Sequence, residues 1–213
     1  MKRLKTKDNK KSNYTLIEII VVFGIIALLL AVALPGFNDM MKGAGLEGGA
    51  RNVCQILKLA RSYGINNNER IAIIFPKDEL SANYNRCAYR VCVVTDTNEF
   101  KKWFSGEKWQ TLPKGIIIFA IKKTSKVTQS DTSFAGATTV TKVNCDDINE
   151  SSSVNLPAIV FKPNGTLSGS DDQYIGISEG VSDGSNITKT NPNAQPANIC
   201  ISPFTGRITY MRD

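Results

Sequence analysis

From Ile19 to Leu34 the chain runs through sixteen residues without one polar side chain. Counted from Tyr14 (YTLIEIIVVFGIIALLLAVAL), the apolar run has 21 residues. As a helix it would extend about 31 Å at 1.5 Å per residue, the thickness of a bilayer's hydrocarbon core. A helix in the core of a soluble domain keeps a polar face, and this run has none. The sequence therefore predicts a membrane-spanning helix over 14–34. Residues 1–13 (MKRLKTKDNKKSN) hold six Lys/Arg and one Asp. Positive flanks stay in the cytoplasm, which puts the head inside and residues 35–213 outside. The whole chain has a formal charge of +7, yet beyond residue 13 there are 20 basic and 18 acidic side chains. The excess charge is mainly a topology signal, and the rest of the chain is nearly neutral.

Three readings of the segment compete. It could be a cleavable signal peptide, with Ala31-Val32-Ala33 as a small-x-small cleavage site. It could be a plain signal anchor. The third reading starts from Glu18, an ionisable residue inside the span that costs about 2.5–3.5 kcal/mol on insertion scales. A neutral anchor has no need of it, and it weakens a signal-peptide core. Glu18 therefore calls for a partner, unless it snorkels to the headgroups from the helix start.

Pro35 follows the run and permits a kink or a break. Residues Gly36–Asn68 read as an amphipathic continuation of the helix. Leu46, Ala50, Val53, Leu57, Ala60 and Gly64 recur at steps of three and four and form one core-facing stripe. Gly43-x-Gly45-x-x-Gly48 spells a nominal dinucleotide fingerprint, but no strand precedes it, so the phosphate-cradling context is missing. After Asn68 the pattern turns to β. Strands are predicted at Arg70–Phe75, Ala88–Thr95, Gly115–Ile121, Ala158–Phe161, Tyr174–Ile177, Asn198–Ser202 and Arg207–Met211. Thr124–Ser153 and Ser178–Pro196 are rich in Ser, Thr and Asn and read as long surface loops or irregular hairpins. The expected class is α+β: a basic leader (1–13), a spanning helix (14–34), its amphipathic continuation (35–68) and a β-rich domain (69–213).

The stretch Tyr14-Thr15-Leu16-Ile17-Glu18, followed by an apolar run and Pro35, resembles a type IV prepilin N-terminus. In that family a prepilin peptidase cuts just before an aromatic residue and methylates the new amine, and the fifth mature residue is a glutamate. The resemblance implies cleavage between Asn13 and Tyr14, with Glu18 as the fifth residue. Relatives usually have Gly before the cut, where this chain has Asn13. Cleavage would create an amine four residues from Glu18, on the same helical face. The carboxylate then pairs with that amine or with a neighbouring subunit's, which offsets its burial among apolar helices.

Five further pieces, in order, resemble GspH/FimT-type minor pseudopilins and minor pilins. They are Ala60-Arg61-Ser62 near the helix end, the strand at Arg70–Phe75, Trp109-Gln110-Thr111-Leu112-Pro113-Lys114-Gly115, Phe161-Lys162-Pro163-Asn164-Gly165, and Gly206-Arg207-Ile208. Each also has a plain physical reading: a tight turn at Pro163-Asn164-Gly165, a core aromatic at Trp109, a strand start at Gly206. The resemblance implies a pilin-like fold, no enzymatic activity and no cofactor. It implies assembly with other pilin or pseudopilin subunits, from the inner membrane into a type IV pilus or a type II secretion pseudopilus. The alternative from another class is a signal-anchored or secreted β-rich enzyme or binding module.

No His occurs in the sequence. That removes Ser-His-Asp and Cys-His nucleophile systems, HExxH zinc sites and imidazole proton shuttles. Five cysteines are present, with no CxxC spacing. Disulfides Cys87–Cys92 and Cys145–Cys200 are possible on sequence grounds, with Cys54 the expected odd thiol, buried as a small hydrophobe. The pairs Asp146-Asp147 and Asp171-Asp172 lack EF-hand spacing and read as solvated loop acids rather than a calcium site. In FimT-like minor pilins a basic C-terminal segment is associated with DNA uptake. The corresponding tail here offers Arg207 and Arg212, with Thr209 at the second arginine position. Strand alternation sets Arg207 and Thr209 on one face and Ile208 and Tyr210 on the other. Phosphate contact by Arg207 and Arg212 is a second alternative.

Overall fold

The computed structural model describes residues 15–104, 106, 108–145, 154–183, 186–190 and 195–212, with the backbone alone for 33–43. The chain divides into two compact units, one ending at Met41 and one running from Lys42. The basic leader lies outside the described residues.

One helix, α1 (Leu16–Asn67), contributes to both units. It continues through Pro35, where the sequence allowed a break. In the first unit every described side chain from Leu16 to Val32 is exposed, including Leu16 at 79%, Phe23 at 67% and Val32 at 76%. Among the described residues no helix is long and apolar enough to cross a membrane.

In the second unit α1 packs on eleven strands. In chain order these are β1 (Arg70–Ile74), β2 (Ala88–Val94), β3 (Phe100–Trp103), β4 (Gln110–Thr111), β5 (Ile116–Lys123), β6 (Thr138–Val143), β7 (Val154–Phe161), β8 (Gln173–Ser182), β9 (Ile187–Lys189), β10 (Ala197–Ile201) and β11 (Ile208–Met211). One sheet has the order β3-β2-β1-β7-β6, with β4 also on β2. The other has the order β11-β10-β8-β5, with β9 also on β8. Every ladder between named strands is antiparallel. The class is α+β, as the sequence predicts.

The predicted stripe is the buried face of α1. Leu46, Ala50, Val53, Leu57, Ala60 and Gly64 are all buried, while Arg51 and Lys58 are exposed. Against the stripe pack Ile71, Ile73 and Phe75 from β1 and its end, Tyr89, Val91 and Val93 from β2, and Ile159 and Phe161 from β7. From the second sheet come Ile118, Ile121, Ile175, Ile177, Ile199 and Ile201. The intervening residues point the other way, as a period of two demands. Ala72, Ile74, Cys92, Val94, Leu156, Ala158 and Val160 form a second cluster on the far face of the first sheet. That sheet is buried on both faces, which explains why β1 and β2 read as almost unbroken apolar runs. In β5 a register shift between Ile118 and Ala120 flips the parity. Ile118 and Ile121 then face the helix, while Ile117, Phe119 and Ala120 line a third cluster with Val127.

The glycines at Gly45 and Gly49 let β5 approach the helix: a Cβ on Gly49 would lie 3.0 Å from Ile116 Cγ2. The GxGxxG spelling thus sits inside a helix, with no phosphate cradle.

All seven predicted strands form. The intervals expected to be loops contain two more, β6 within 124–153 and β9 within 178–196. In β6 the buried Val140 and Val143 are three residues apart because the register shifts between them and Lys142 takes φ +58°. A period-2 search misses such a strand. β3 and β4 also went unread, being short and, for β4, wholly exposed. The first sheet curls until its ends meet: Glu99 bridges Thr141, and Thr141 N–H donates to Asn98 O at 3.1 Å.

Candidate functional site

Asn13 and Tyr14, the residues of the expected cut, lie outside the described residues. Glu18 is described. Its backbone N–H donates to Thr15 Oγ1 at 3.3 Å, and Thr15 N–H donates to Glu18 Oε2 at 3.4 Å. This is a reciprocal capping box, Thr-x-x-Glu, which satisfies two N-terminal donors that the helix leaves without partners. The carboxylate also lies where the helix dipole favours negative charge. The spacing Thr15-x-x-Glu18 is the sequence signal of this box.

Three of the five motif pieces, 60–62, 161–165 and 206–208, converge on one side chain. Arg61 leaves α1 near its end and donates from Nε to Gly165 O at 2.9 Å and from Nη2 to Thr205 O at 2.8 Å. Gly165 closes a turn in which its N–H donates to Lys162 O at 2.8 Å, and it takes φ +78°. Gly206, at φ +61°, closes the turn between β10 and β11, its N–H donating to Ser202 O at 2.9 Å. A Cβ on Gly206 would collide with Gly165 O and come within 2.5 Å of Arg61 Nε. The two turns therefore pass backbone to backbone, with the guanidinium spanning both carbonyls. Gly206 is a turn residue here, and the strand begins at Ile208.

Two buried cations were not anticipated. Arg86 is 2% exposed and donates to Phe119 O at 2.8 Å, Thr132 O at 3.2 Å and Asp78 Oδ1 at 3.2 Å. Burial pushes the Asp78 carboxyl up, but the Lys77 and Arg86 contacts outweigh it and hold it below the usual range. Arg90 stacks over Trp103, 3.9 Å from the ring centroid, within a row of Tyr84, Trp109, Trp103 and Phe100. Trp109 is a half-buried member of the second cluster. Arg86 ties the chain before β2 to β5 and to the loop at Thr132, and Arg90 of β2 stacks on its neighbour strand's Trp103. The Asp131 carboxyl is held below its ordinary range, first by the Thr128 backbone N–H and then by the Thr128 hydroxyl and Lys122.

The cysteine pairs suggested by spacing do not come together. Cys92 sits in β2 and Cys87 just before it, so extended chain separates them by about 13 Å or more. A disulfide needs Cα atoms about 4–7 Å apart. Cys145 lies in the second cluster, while Cys200 is on β10 of the other sheet opposite Tyr174 and Thr209. Cys54 is buried on the helix, as expected. Burial raises the thiol pKa of Cys54 and Cys87, and most strongly that of Cys92.

Among the described residues no group of three or more His, Cys, Asp or Glu could hold a metal ion. Asp171 is exposed and Asp172 half-exposed; Asp146 and Asp147 lie outside the described residues. Arg207 and Thr209 are exposed and Ile208 and Tyr210 turn to the core, as the alternation predicts; Arg212, just past β11, is exposed as well. A groove beside α1 is lined by Asn52, Gln55, Ile56, Leu59, Tyr89, Gln110 and Thr111, with no titratable acid or base except a tyrosine.

No family model and no curated protein matches the chain. Among solved structures it is similar to the type IV minor pilin FimU of Pseudomonas aeruginosa, at 15% identity over 81% of this chain and 92% of that one, with a TM-score of 0.46. It is also similar to the minor pseudopilin EpsH of the Vibrio cholerae Type 2 Secretion System, at 10% identity over 78% of this chain and 95% of that one, with a TM-score of 0.43.

Proposed function

We propose that this chain is a minor pilin or pseudopilin, a non-catalytic subunit held in the inner membrane by residues 14–34 and assembled from there into a filament. One observation carries the reading. A single helix presents thirteen large apolar side chains to the outside between Leu16 and Val32, and buries its other end in an antiparallel β domain. Soluble proteins do not leave such a surface uncovered. At about 0.3–0.6 kcal/mol for each such residue at the centre of a span, insertion gains roughly 4–8 kcal/mol. Glu18 costs about 3 kcal/mol at the centre of a bilayer and less near a helix end. The balance favours the membrane or a bundle of like helices.

The prepilin peptidase is then the first partner, and its cut before Tyr14 removes the basic leader. The freed amine stands four residues from Glu18. A carboxylate accepts more than one hydrogen bond, so Glu18 can keep its bond from Thr15 and also take a neighbour's amine. The C-terminal domain lies on the periplasmic side and makes the subunit contacts.

The test is intact-mass analysis of the protein extracted from membranes that carry a prepilin peptidase. A chain beginning at Tyr14 and heavier by one methyl group is expected. A mass retaining Met1–Asn13, or one beginning at Leu34 after signal-peptidase cleavage, overturns the reading.

A further inference from the structure

We infer that the outer edge of β11 is a docking strand for an extended, acidic segment of another protein. The hydrogen-bond phase of the ladder fixes which groups face outward. Ser202 N–H donates to Arg207 O at 3.0 Å, and the register continues as Ile201↔Ile208, Cys200↔Thr209, Ile199↔Tyr210 and Asn198↔Met211. In an antiparallel pair, bonded positions alternate. Residues 207, 209 and 211 thus bond to β10, while the N–H and C=O groups of Ile208, Tyr210 and Arg212 point away from it. Among the described residues, no backbone or side-chain hydrogen bond ends on those outward groups.

The other long edges are closed. The ends of the first sheet meet at Glu99 and Thr141. The outer edge of β5 is covered by loops: Ile118 N–H donates to Arg86 O at 2.7 Å, Ile121 N–H to Ser133 O at 3.0 Å, and Gly136 N–H to Ile121 O at 2.7 Å. An edge strand left with unpaired groups is a template for strand addition.

Charge selects the occupant. Arg207 and Arg212 flank the edge, both are exposed, and neither has an ion-pair partner among the described residues. A second copy fits poorly. Pairing β11 with its own copy would join two strands reading Arg207–Arg212, which bring four arginines and no acid together, and like charges across a strand pair destabilise it. An extended segment with acidic residues near its two ends satisfies both arginines and the outward backbone groups together. This does not depend on α1 entering a membrane, so it can fail without the subunit reading failing, and the reverse.

The experiment uses the full chain in detergent micelles and two synthetic peptides of alternating threonine and valine. One carries glutamate at both ends and the other lysine. Binding is read by fluorescence anisotropy, and amide exchange is followed over the C-terminal strand. The acidic peptide is expected to bind about tenfold more tightly than the basic one, two exposed ion pairs being exchanged for two repulsions. Its binding should slow exchange at Ile208 and Tyr210. The double variant Arg207→Glu/Arg212→Glu, altered only at exposed positions, should invert the preference. Equal binding of the two peptides, no binding, or an unchanged preference in the variant overturns the proposal. So does a duplex DNA oligonucleotide that displaces the peptide while the Ile208 and Tyr210 amides keep exchanging, because the arginines would then serve phosphates.

Discussion

Replacing Arg61 by alanine removes a side chain that joins the end of α1 to both turns. The Nε bond to Gly165 O is partly buried and the Nη2 bond to Thr205 O is exposed. A bond from a charged donor contributes about 1.5–3 kcal/mol when shielded and less in water. Taking about 1.5 kcal/mol for the first and about 0.5 kcal/mol for the second, Arg61→Ala should cost about 2 kcal/mol. For a domain of this size that lowers Tm by about 4–8 °C. Arg61→Lys keeps the charge but has no planar fork, so it retains one bond at most and should recover about half the loss. Ser62→Ala, one residue on and exposed, is the control and should be neutral. The assay is thermal unfolding of the full chain in detergent micelles, followed by circular dichroism of the β domain. The reasoning is refuted if Arg61→Ala moves Tm no more than Ser62→Ala does, or if Arg61→Lys matches wild type. A double variant of Arg61→Ala with Gly206→Ala should also lose less than the sum of its parts, because both changes act on the same pair of turns.

Glycine positions on α1 offer a sharp contrast. Gly48→Ala meets nothing within 4 Å and should stabilise by up to about 1 kcal/mol, whereas Gly49→Ala presses on Ile116 and should show no such gain in the same melt. Gly136→Ala places a Cβ 2.5 Å from the backbone carbon of Lys122, so it should cost about 2–3 kcal/mol and speed exchange of the Ile121 amide. Asp131 has a lowered pKa in the folded state, so its stabilising contribution is full above about pH 4, the unfolded value, and fades as pH falls through the lower folded one. In Tm measured from pH 6 down to pH 2, wild type should lose its advantage over Asp131→Asn on the acid side. An unchanged gap would remove Asp131 from the acid limb. Under native alkylation read by peptide mass spectrometry, the half-exposed Cys87 and Cys200 should label before the buried Cys54 and Cys92. Early labelling of Cys92 would contradict its place in the second cluster.

The helix stripe was legible because every third or fourth residue from Leu46 to Gly64 had to be small or apolar to face a core. The central strands were legible for a similar reason: β1, β2 and β5 are buried enough to read as apolar runs. β6 was not, since the shift between Val140 and Val143 breaks the period that marks a strand. The individual motif pieces around Ala60-Arg61-Ser62, Phe161–Gly165 and Gly206 were visible, but their meeting point was not. Arg61 lies 104 residues from Gly165 and 144 from Thr205 along the chain, and no local pattern encodes that contact. The same holds for Arg86, whose burial depends on carbonyls from Phe119 and Thr132. Of the candidate site, Glu18 stood out as an anomaly of hydropathy, while its bond to Thr15 was a matter of spacing.

The Gly165 turn follows β7 of the first sheet, and the Thr205 turn joins β10 to β11 of the second. The Arg61 bonds can therefore form only after helix and both sheets have docked, which places them late on the folding route, beyond contacts of shorter loop closure. Interactions absent from the transition state leave the folding rate alone and act on the rate of escape from the native state. Arg61→Ala should accordingly shorten the lifetime of the folded domain on heating while changing its folding rate little.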